Sequence, residues 1–387
     1  MRVTRDLDLA EECVQDAYAK ALQSWASDGV PSKPAAWLTT TARNRALDII
    51  RRDALFRRAM PELVMDDVAP VEDVDVDAIP DDRLRLICTC CHPALAREAQ
   101  VALTLRLLCG LSTADVAHAF LVSETTMAAR ITRAKKKIAA ARIPYRVPDA
   151  AELPGRIGAV LEVVHLLFTT GHTATSGAEL VRADLVERAL QLARMLRALL
   201  PDDADVAGLL ALLLLTDARR DTRVGPDGEL VLLADQDRGR WDRARIGEGV
   251  ELVRDALRRR PPSRYALQAA IAAVHAEAPT WEQTDWREIV ALYGVLLQVW
   301  PSPVVALNRA VAVGLADGPA AGLAALDELT GEPQLAGYAY LPSSRAEFLH
   351  RLGRDDEARV AYEEALHFTS NAVERAFLER RLAGLVR

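Results

Sequence analysis

The sequence predicts an all-α protein. Apolar residues recur at spacings near 3.6 along most of the 387-residue chain, and period-two alternation hardly occurs. Aromatic residues are only 5% of the chain, whereas Ala, Leu and Arg are abundant. Because half of the residues are hydrophobic, a chain of this length can bury several cores, and we expect two or three domains.

Composition indicates a reducing compartment and no membrane segment. The first residues, "MRVTRDLDLAEE", are charged, and the longest apolar run, "VAGLLALLLL" at 206–215, falls short of the roughly 18 residues that a membrane span needs. Five cysteines form no disulfide framework in a chain of this length. We therefore expect a cytoplasmic protein.

Charge is distributed unevenly along the chain, although the net charge is only −7. Residues 43–58 carry a net charge of +4 and residues 97–146 carry +6, whereas residues 62–82 hold nine carboxylates. Two basic modules, 1–58 and 83–142, thus flank an acidic linker at 59–82. Basic modules of this kind are typical of proteins that bind phosphate backbones.

Two amphipathic helices are predicted in the first module. In "DLDLAEECVQDAYAKAL" the packed positions are Ala10, Val14, Ala17 and Ala21. The outward positions form an acidic face of Glu11, Glu12, Gln15 and Asp16. After a Gly-Pro break, "WLTTTARNRALDIIRR" places Leu38, Ala42 and Ile49 inward. Thr40, Asn44 and Arg51 project from its opposite side.

A helix-turn-helix is predicted in the second module. "LSTADVAHAFLV" at 111–122 begins with the capping-box pair Ser112 and Asp115, followed by the apolar Val116, Ala119 and Phe120. "SETTMAARITRAKKKI" at 123–138 begins with the N-cap Ser123 and carries one apolar stripe of Met127, Ile131, Ala134 and Ile138. One flank of the second helix gathers Thr126, Arg130, Arg133 and Lys137. Two helices so close in sequence must cross sharply, as in motifs that read the DNA major groove.

The remaining chain is predicted to form helical hairpins. A Pro-rich linker at 143–156 precedes a domain at 157–387, whose end carries two similar units, 307–329 and 345–366. The second unit has the Leu-Gly turn at 352–353 and the Ala358 and Tyr362 positions of a tetratricopeptide repeat. A Pro-Asp-Gly turn and a short β-like run interrupt the helices at 224–243.

Three separated segments resemble one family, the RNA polymerase sigma factors of the extracytoplasmic-function type (sigma-70 family, group IV). "DLAEECVQDAYAKAL" and "WLTTTARNRALDIIRR" resemble the earlier and later parts of region 2, and "LSTADVAHAFLVSETTMAARITRAKKKI" resembles region 4. Together they span most of residues 6–142. The C-terminal repeats resemble the extension of one subgroup of these factors.

The resemblance implies core RNA polymerase and promoter DNA as partners. Polymerase binding would fall to Glu11, Glu12 and Asp16. The −10 element would be contacted by Asn44, Arg51 and Arg52, with Trp37 supporting that helix or serving as a core anchor at the helix start. The −35 element would be contacted by Thr126, Arg130, Arg133 and Lys137. The extension, placed close to these domains by a short linker, would regulate them in cis.

Two departures from the family pattern stand out. Family members usually begin about one helix earlier, so we expect the first helix of region 2 to be absent or the start to be assigned late. The turn between the two region 4 helices commonly carries a glycine where this chain has Leu121. A leucine at positive φ would cost roughly 1–2 kcal/mol, so we expect a different turn geometry.

Other motifs give little support to catalysis or to a cofactor. The cluster Cys88, Cys90, Cys91 and His92 lacks the paired, well-separated units of zinc sites, so buried thiols are the favoured interpretation. His165 is interpreted as a core histidine, and the His-Ala-Glu at 275–277 lacks the cysteines of a deaminase. No phosphate-binding loop or nucleophile elbow occurs, so we predict neither an enzyme nor a cofactor.

The main alternative is a helix-turn-helix regulator whose helical repeats sense a ligand or a partner. Residues 37–52 discriminate between the two hypotheses, because a plain regulator has no use for a promoter-melting helix. A repeat-scaffolded enzyme would require a constellation of polar residues in the C-terminal half, which the sequence does not offer.

Overall fold

The computed structural model describes residues 3–4, 6–59, 79–108, 110–120, 122–146, 154–174, 177–258 and 261–385. It is all-α, as the sequence predicts. Within these ranges there are seventeen α-helices and three short 3₁₀ helices, and the β pairing there is limited to isolated bridges. No helix in these ranges is long and apolar enough to cross a membrane.

The helices divide between two compact units. The first unit is Met1–Ala117 with Ser123–Val160, and the second is His118–Val122 with Leu161–Arg387. The first six helices are α1 (Leu7–Asp28), α2 (Pro34–Ala59), α3 (Ile79–Cys90), α4 (Arg97–Leu107), α5 (Thr113–Ala119) and α6 (Glu124–Ala140). The next five are α7 (Pro154–His172), α8 (Ala183–Leu199), α9 (Ala204–Asp217), α10 (Arg243–Leu257) and α11 (Arg264–Glu277). The last six are α12 (Trp286–Val299), α13 (Pro303–Ala316), α14 (Pro319–Asp327), α15 (Tyr340–Arg351), α16 (Asp355–Phe368) and α17 (Ala372–Gly384).

Two predicted segment boundaries differ from the observed helices. Helix α3 begins at Ile79, inside the predicted acidic linker, and α7 begins at Pro154, inside the predicted Pro-rich linker. A turn follows the cysteine cluster, and helix α4 begins after it at Arg97. Most of the acidic linker, residues 60–78, lies outside the described residues.

In the first unit, helices pack against one another through buried side chains, which are mostly small on α1 and α2 and include large ones on α3, α4 and α6. Helices α1 and α2 pack together, and α4 packs against both α3 and α6. The predicted stripe of α1 is only partly right, because Cys13 is buried where Val14, 45% exposed, was expected to pack. On α2 the buried residue is Ala46, and the predicted Leu38, Ala42 and Ile49 are half-buried.

The second unit is a stack in which each helix packs mainly on its neighbours in sequence. Helix α9 is the exception, because it packs against α8, α10 and α11. Its sequence is apolar on every side, and all positions from Val206 to Leu215 are buried. The apolar run at 206–215, which is too short for a membrane span, is therefore part of a core helix. Gly208 permits a close approach of α9 to α11, since a Cβ there would lie 2.6 Å from the Ala266 nitrogen.

The C-terminal part of the second unit is built from hairpins. Helices α13 and α14 form one hairpin, and α15 and α16 form another around the Leu-Gly turn, where Gly353 has a φ of 71°. Ala358 and Tyr362 are buried, as the repeat pattern predicts. The fully buried Asn371 caps α17 and donates its amide to the carbonyls of Ala174 and Glu179, at 3.0 and 2.9 Å. The segment 224–243 has one isolated bridge, Val224 with Leu230, in place of the predicted β-like run.

Candidate nucleic-acid interface

The second helix of the predicted DNA-binding motif, α6, has the expected cap and core stripe. The Ser123 hydroxyl accepts a hydrogen bond from the Thr126 nitrogen at 3.3 Å, and this satisfies one of the free N–H groups at the helix start. The stripe residues are all buried: Met127, Ile131, Ala134 and Ile138. Local periodicity was therefore sufficient to orient this helix.

The predicted −35 flank of α6 faces away from the core. Thr126, Arg133 and Lys137 are exposed, and Arg130 is half-buried. The Thr126 hydroxyl lies 2.8 Å from that of Ser123, so the cap holds it at the first turn of the helix. The arrangement brings a hydroxyl and three cations to one side of one helix, where they can contact phosphates and base edges.

The first helix of the motif, α5, begins with the predicted capping box. The Asp115 nitrogen donates to the Ser112 hydroxyl at 3.0 Å, and the Ser112 nitrogen donates to the Asp115 carboxylate at 3.1 Å. Val116 is buried and Phe120 is half-buried. The Ala119 side chain and Leu121 lie outside the described residues, so the predicted turn geometry at Leu121 remains a prediction.

The predicted −10 helix, α2, presents polar side chains to solvent. Asn44 and Arg51 are both exposed, whereas the side chain of Arg52 lies outside the described residues. Trp37 is half-buried, and its ring meets that of Trp25 edge to face, with centroids 5.4 Å apart. This contact supports the interpretation of Trp37 as a core anchor at the helix start.

The predicted polymerase-binding residues on α1 have three different environments. Glu12 is exposed, and Asp16 accepts a hydrogen bond from Arg45 at 2.8 Å. Glu11 is half-buried rather than outward-facing, because Lys135 of α6 lies 2.7 Å from its carboxylate and Arg106 lies 3.5 Å away. The acidic face is therefore partly neutralised within the first unit.

Sequence reasoning missed Lys135, which joins α6 to α1. Its ammonium contacts both Asp8 and Glu11, at 2.8 and 2.7 Å, and its side chain is only 15% exposed. Burial alone would lower the pKa of Lys135, but the hydrogen bonds to Asp8 and Glu11 outweigh it and raise the pKa. A sequence signal existed, since Lys135 borders the apolar stripe of α6 on the side away from the predicted DNA flank.

The cysteine cluster is buried within the first unit. Cys88, Cys90 and Cys91 are almost fully buried, and burial raises the pKa of Cys88 to about 11 and that of Cys91 to about 12. The His92 Nδ1 accepts a hydrogen bond from the Ala94 nitrogen. In the part of the chain that the structure describes, no group of three His, Cys, Asp or Glu side chains is arranged to hold a metal ion. Buried thiols, the favoured interpretation, fit these environments.

Comparison with known protein families matches the two halves of the first unit separately. Residues 1–55, which contain α1 and most of α2, match the model of Sigma-70 region 2, and residues 86–138, which contain α4 and α5, match that of Sigma-70, region 4. The chain belongs to the sigma-70 family. Regions 2 and 4 of sigma-70 proteins serve promoter recognition, so this chain is a sigma factor.

The rest of this sigma-70 chain has matches of unknown function. Residues 156–257 match a family of unknown function, DUF6596. The whole chain is similar to an uncharacterized protein of Rhizobium meliloti (strain 1021), with 44% identity over 387 residues, which are 99% of this chain and 91% of that protein. The likeness therefore includes both the sigma regions and the helical stack that follows them.

Proposed function

We propose that this sigma-70 protein is a factor of the extracytoplasmic-function type, group IV, in the subgroup with a C-terminal tetratricopeptide-like extension. It binds core RNA polymerase, recognises −35 and −10 elements and initiates transcription. The observation that carries this proposal is the pairing of two modules: a capped helix with an exposed basic flank in region 4, and a second helix with exposed Asn44 and Arg51 in region 2.

The two modules divide the recognition of promoter DNA. Arg130, Arg133 and Lys137 contact the phosphates that flank the −35 element, and Thr126 at the helix start reaches base edges. Asn44, Arg51 and Arg52 contact the −10 strand once it is unpaired, since polar side chains can hydrogen-bond bases that leave the stack. Trp37 supports this helix from its contact with Trp25.

The polymerase-binding face is on α1 and combines charge with apolar surface. Glu12 and Asp16 are exposed on one side of α1, and Val14, Tyr18 and Leu22, which are 45%, 56% and 80% exposed, form an apolar stripe on another side. Exposed apolar side chains that recur every four residues along one helix favour a protein partner over solvent. Glu11 joins this face when its contact with Lys135 opens.

Transcription in vitro tests the proposal most directly. The full-length protein is mixed with core RNA polymerase and a library of promoter-sized duplexes, and run-off transcripts are sequenced. Transcripts that depend on the protein and share −35 and −10 elements support it. Tight binding to duplex DNA without polymerase, and no transcript with it, would instead support the helix-turn-helix regulator, the second candidate.

The domain at 157–387 regulates the sigma regions in cis. Two observations support this regulation. The domain is long, and its hairpins α13–α14 and α15–α16 resemble repeat units that bind peptides or helices on a concave face. A short connection also gives the domain a high effective concentration at the sigma regions.

Proteolysis of the intact chain tests this regulation. A protease site placed at Pro148 is cut after the full-length protein has folded, and run-off transcription is compared before and after cleavage at the same concentration. A change of activity in either direction supports regulation in cis. Equal activity, with the uncleavable wild-type chain as control for the protease, would contradict it and leave the domain a docking module.

A further inference from the structure

The second unit contains a partly open cavity, and all of its lining residues lie outside the segments that match regions 2 and 4. Its volume is about 400 Å³, which lies in the range of about 300–1,000 Å³ that is typical of small-molecule sites. Helices α7, α9, α11, α12 and α13 line it, and the segment between α9 and α10 closes it with Leu233 and Trp241. Most of the lining is apolar or aromatic, including Tyr293 and Trp300.

The charge that lines this cavity is of one sign, positive. Among the described residues, its lining contains Arg219 and neither Asp nor Glu. Arg219 is half-buried. Its guanidinium forms no hydrogen bond or ion pair with the described residues. Two acids lie two positions from Arg219 in sequence. Asp217 is fully buried and paired with both Arg220 and Arg245, and Asp221 is exposed and does not line the cavity.

An unpaired arginine is costly in this environment. Burial, followed by repulsion from Arg223, lowers the pKa of Arg219 to about 10, so the guanidinium is still charged at neutral pH. A partly desolvated cation without a counter-ion loses hydration, and no ion pair or hydrogen bond compensates for that loss. A bound oxyanion would restore charge-assisted hydrogen bonds, and the planar guanidinium suits a carboxylate, sulfonate or phosphate group.

The two histidines of the lining add polar groups without adding charge. Burial and the nearby Arg264 lower the pKa of His165 to about 4, and burial with Arg219 and Arg238 lowers that of His275 to about 4. Both rings are neutral at pH 7. The Nδ1 of His275 is buried and has no hydrogen-bond partner, so it remains available to a bound molecule. Thr169 and Asn308 are the exposed members of the lining and give the cavity access to solvent.

We propose that this cavity binds a small organic acid, with its anionic group on Arg219 and its apolar or aromatic body against Trp241, Tyr293 and Trp300. The site goes beyond the proposed function, because binding depends neither on polymerase nor on promoter DNA. Failure of the transcription experiment would therefore leave it intact, and its own failure would leave the sigma assignment intact.

A matched pair of fluorescent probes tests the site in the full-length protein. The acidic probe is 8-anilinonaphthalene-1-sulfonate, and the neutral probe is N-phenyl-1-naphthylamine, which has the same rings without the sulfonate. Arg219→Gln should weaken binding of the acidic probe by about tenfold or more, while binding of the neutral probe changes by less than about twofold. Arg194→Gln is the control, since Arg194 is 52% exposed and pairs with Glu248 outside the cavity.

Two results overturn the proposal: unchanged binding of the acidic probe to Arg219→Gln, or an equal loss of both probes. Circular dichroism shows whether each variant is folded. If Arg219→Gln does not fold, Arg219→Lys and Ala272→Phe replace it. Lysine keeps the charge and should retain the preference for the acidic probe. Phenylalanine fills the cavity from α11 and should abolish binding of both probes, so wild-type binding to Ala272→Phe would also refute the site.

Discussion

At the scale of single residues, the position of a side chain around α6 determines its role. Thr126, Arg133 and Lys137 are exposed on one side of the buried stripe, and Lys135 lies on the other side, against α1. Residues two positions apart in sequence therefore serve different partners. The same logic makes Lys136, which is exposed on a third side, a suitable control for charge.

Replacing Arg130, Arg133 and Lys137 together with alanine should weaken −35 binding and leave the fold intact. Each phosphate contact that is lost should lower the slope of log affinity against log salt concentration by about 0.9. The slope is measured by fluorescence anisotropy on a −35 duplex between low and moderate salt. Lys136→Ala should leave the slope unchanged, and an unchanged slope in the triple variant would remove this flank from the interface.

Replacing Asn44 and Arg51 with alanine should affect promoter opening rather than duplex binding. Both side chains are exposed on α2, so the variant should fold normally. We expect permanganate reactivity of the −10 thymines to decrease with core polymerase present, because the unpaired strand loses its contacts. Thr39→Ala, an exposed change on another side of the same helix, is the control. Wild-type reactivity of the double variant would contradict the assignment.

At the scale of helices, the contact between α1 and α6 competes with the proposed polymerase face. Lys135 and Arg106 form ion pairs with Glu11, and Lys135 also pairs with Asp8. Lys135→Met keeps the apolar stem and removes the charge, so it should release both carboxylates and tighten binding to core polymerase by a few-fold. The measurement is a competition titration at two salt concentrations, since the contact weakens as salt screens it. Equal or weaker binding, relative to Lys136→Met, would show that this contact does not mask the face.

Packing of α9 against α11 depends on a close approach at Gly208. A Cβ at Gly208 would lie 2.6 Å from the Ala266 nitrogen, so Gly208→Ala must separate α9 from α11. We expect a loss of about 1–3 kcal/mol in the free energy of unfolding, as for other overpacked cores. Gly247→Ala is the matched control, because it meets open space inside α10 and should stabilise by about 0.5–1 kcal/mol. Urea unfolding of both variants measures these changes. Equal changes in the free energy of unfolding for Gly208→Ala and Gly247→Ala would contradict the role of Gly208.

At the scale of the whole molecule, the stability of the second unit should depend on buried neutral histidines. The pKa values of His165 and His275 are lowered to about 4, from an unfolded value near 6.5. The unfolded chain therefore binds more protons between these values, and stability should fall as pH decreases from about 6.5 towards 4. Above pH 6.5 this contribution is fully present.

The pH dependence is checked by urea unfolding at several pH values. Each histidine contributes at most about 1.4 kcal/mol per pH unit in this window. The double variant His165→Gln and His275→Gln should have a shallower slope between pH 6.5 and 4. A double variant as steep as the wild type would contradict this account and assign the loss to other groups, among them the carboxylates and the buried His172, whose pKa is also lowered by burial.

Local patterns in the sequence were sufficient for much of this protein. The all-α class, the caps at Ser112 and Ser123 and the stripe of α6 depend on residues within four positions of one another, so period and capping chemistry predict them. The acidic face of α1 was predicted less well. Val14 is exposed and Glu11 is partly covered, because the partners of α1 lie on α2, α4 and α6.

Only the tertiary structure decided the contacts between distant segments. Lys135 meets Glu11 across 124 positions of sequence, and the cavity draws its lining from five helices between residues 165 and 308. No local pattern marks such neighbours, because side-chain direction along one helix does not specify which helix lies opposite. Arg219 shows the consequence, since in sequence it is one arginine of a polar run after α9. In the folded unit it is the arginine of an apolar cavity, among the residues that the structure describes, while the neighbouring Asp217 is paired with Arg220 and Arg245.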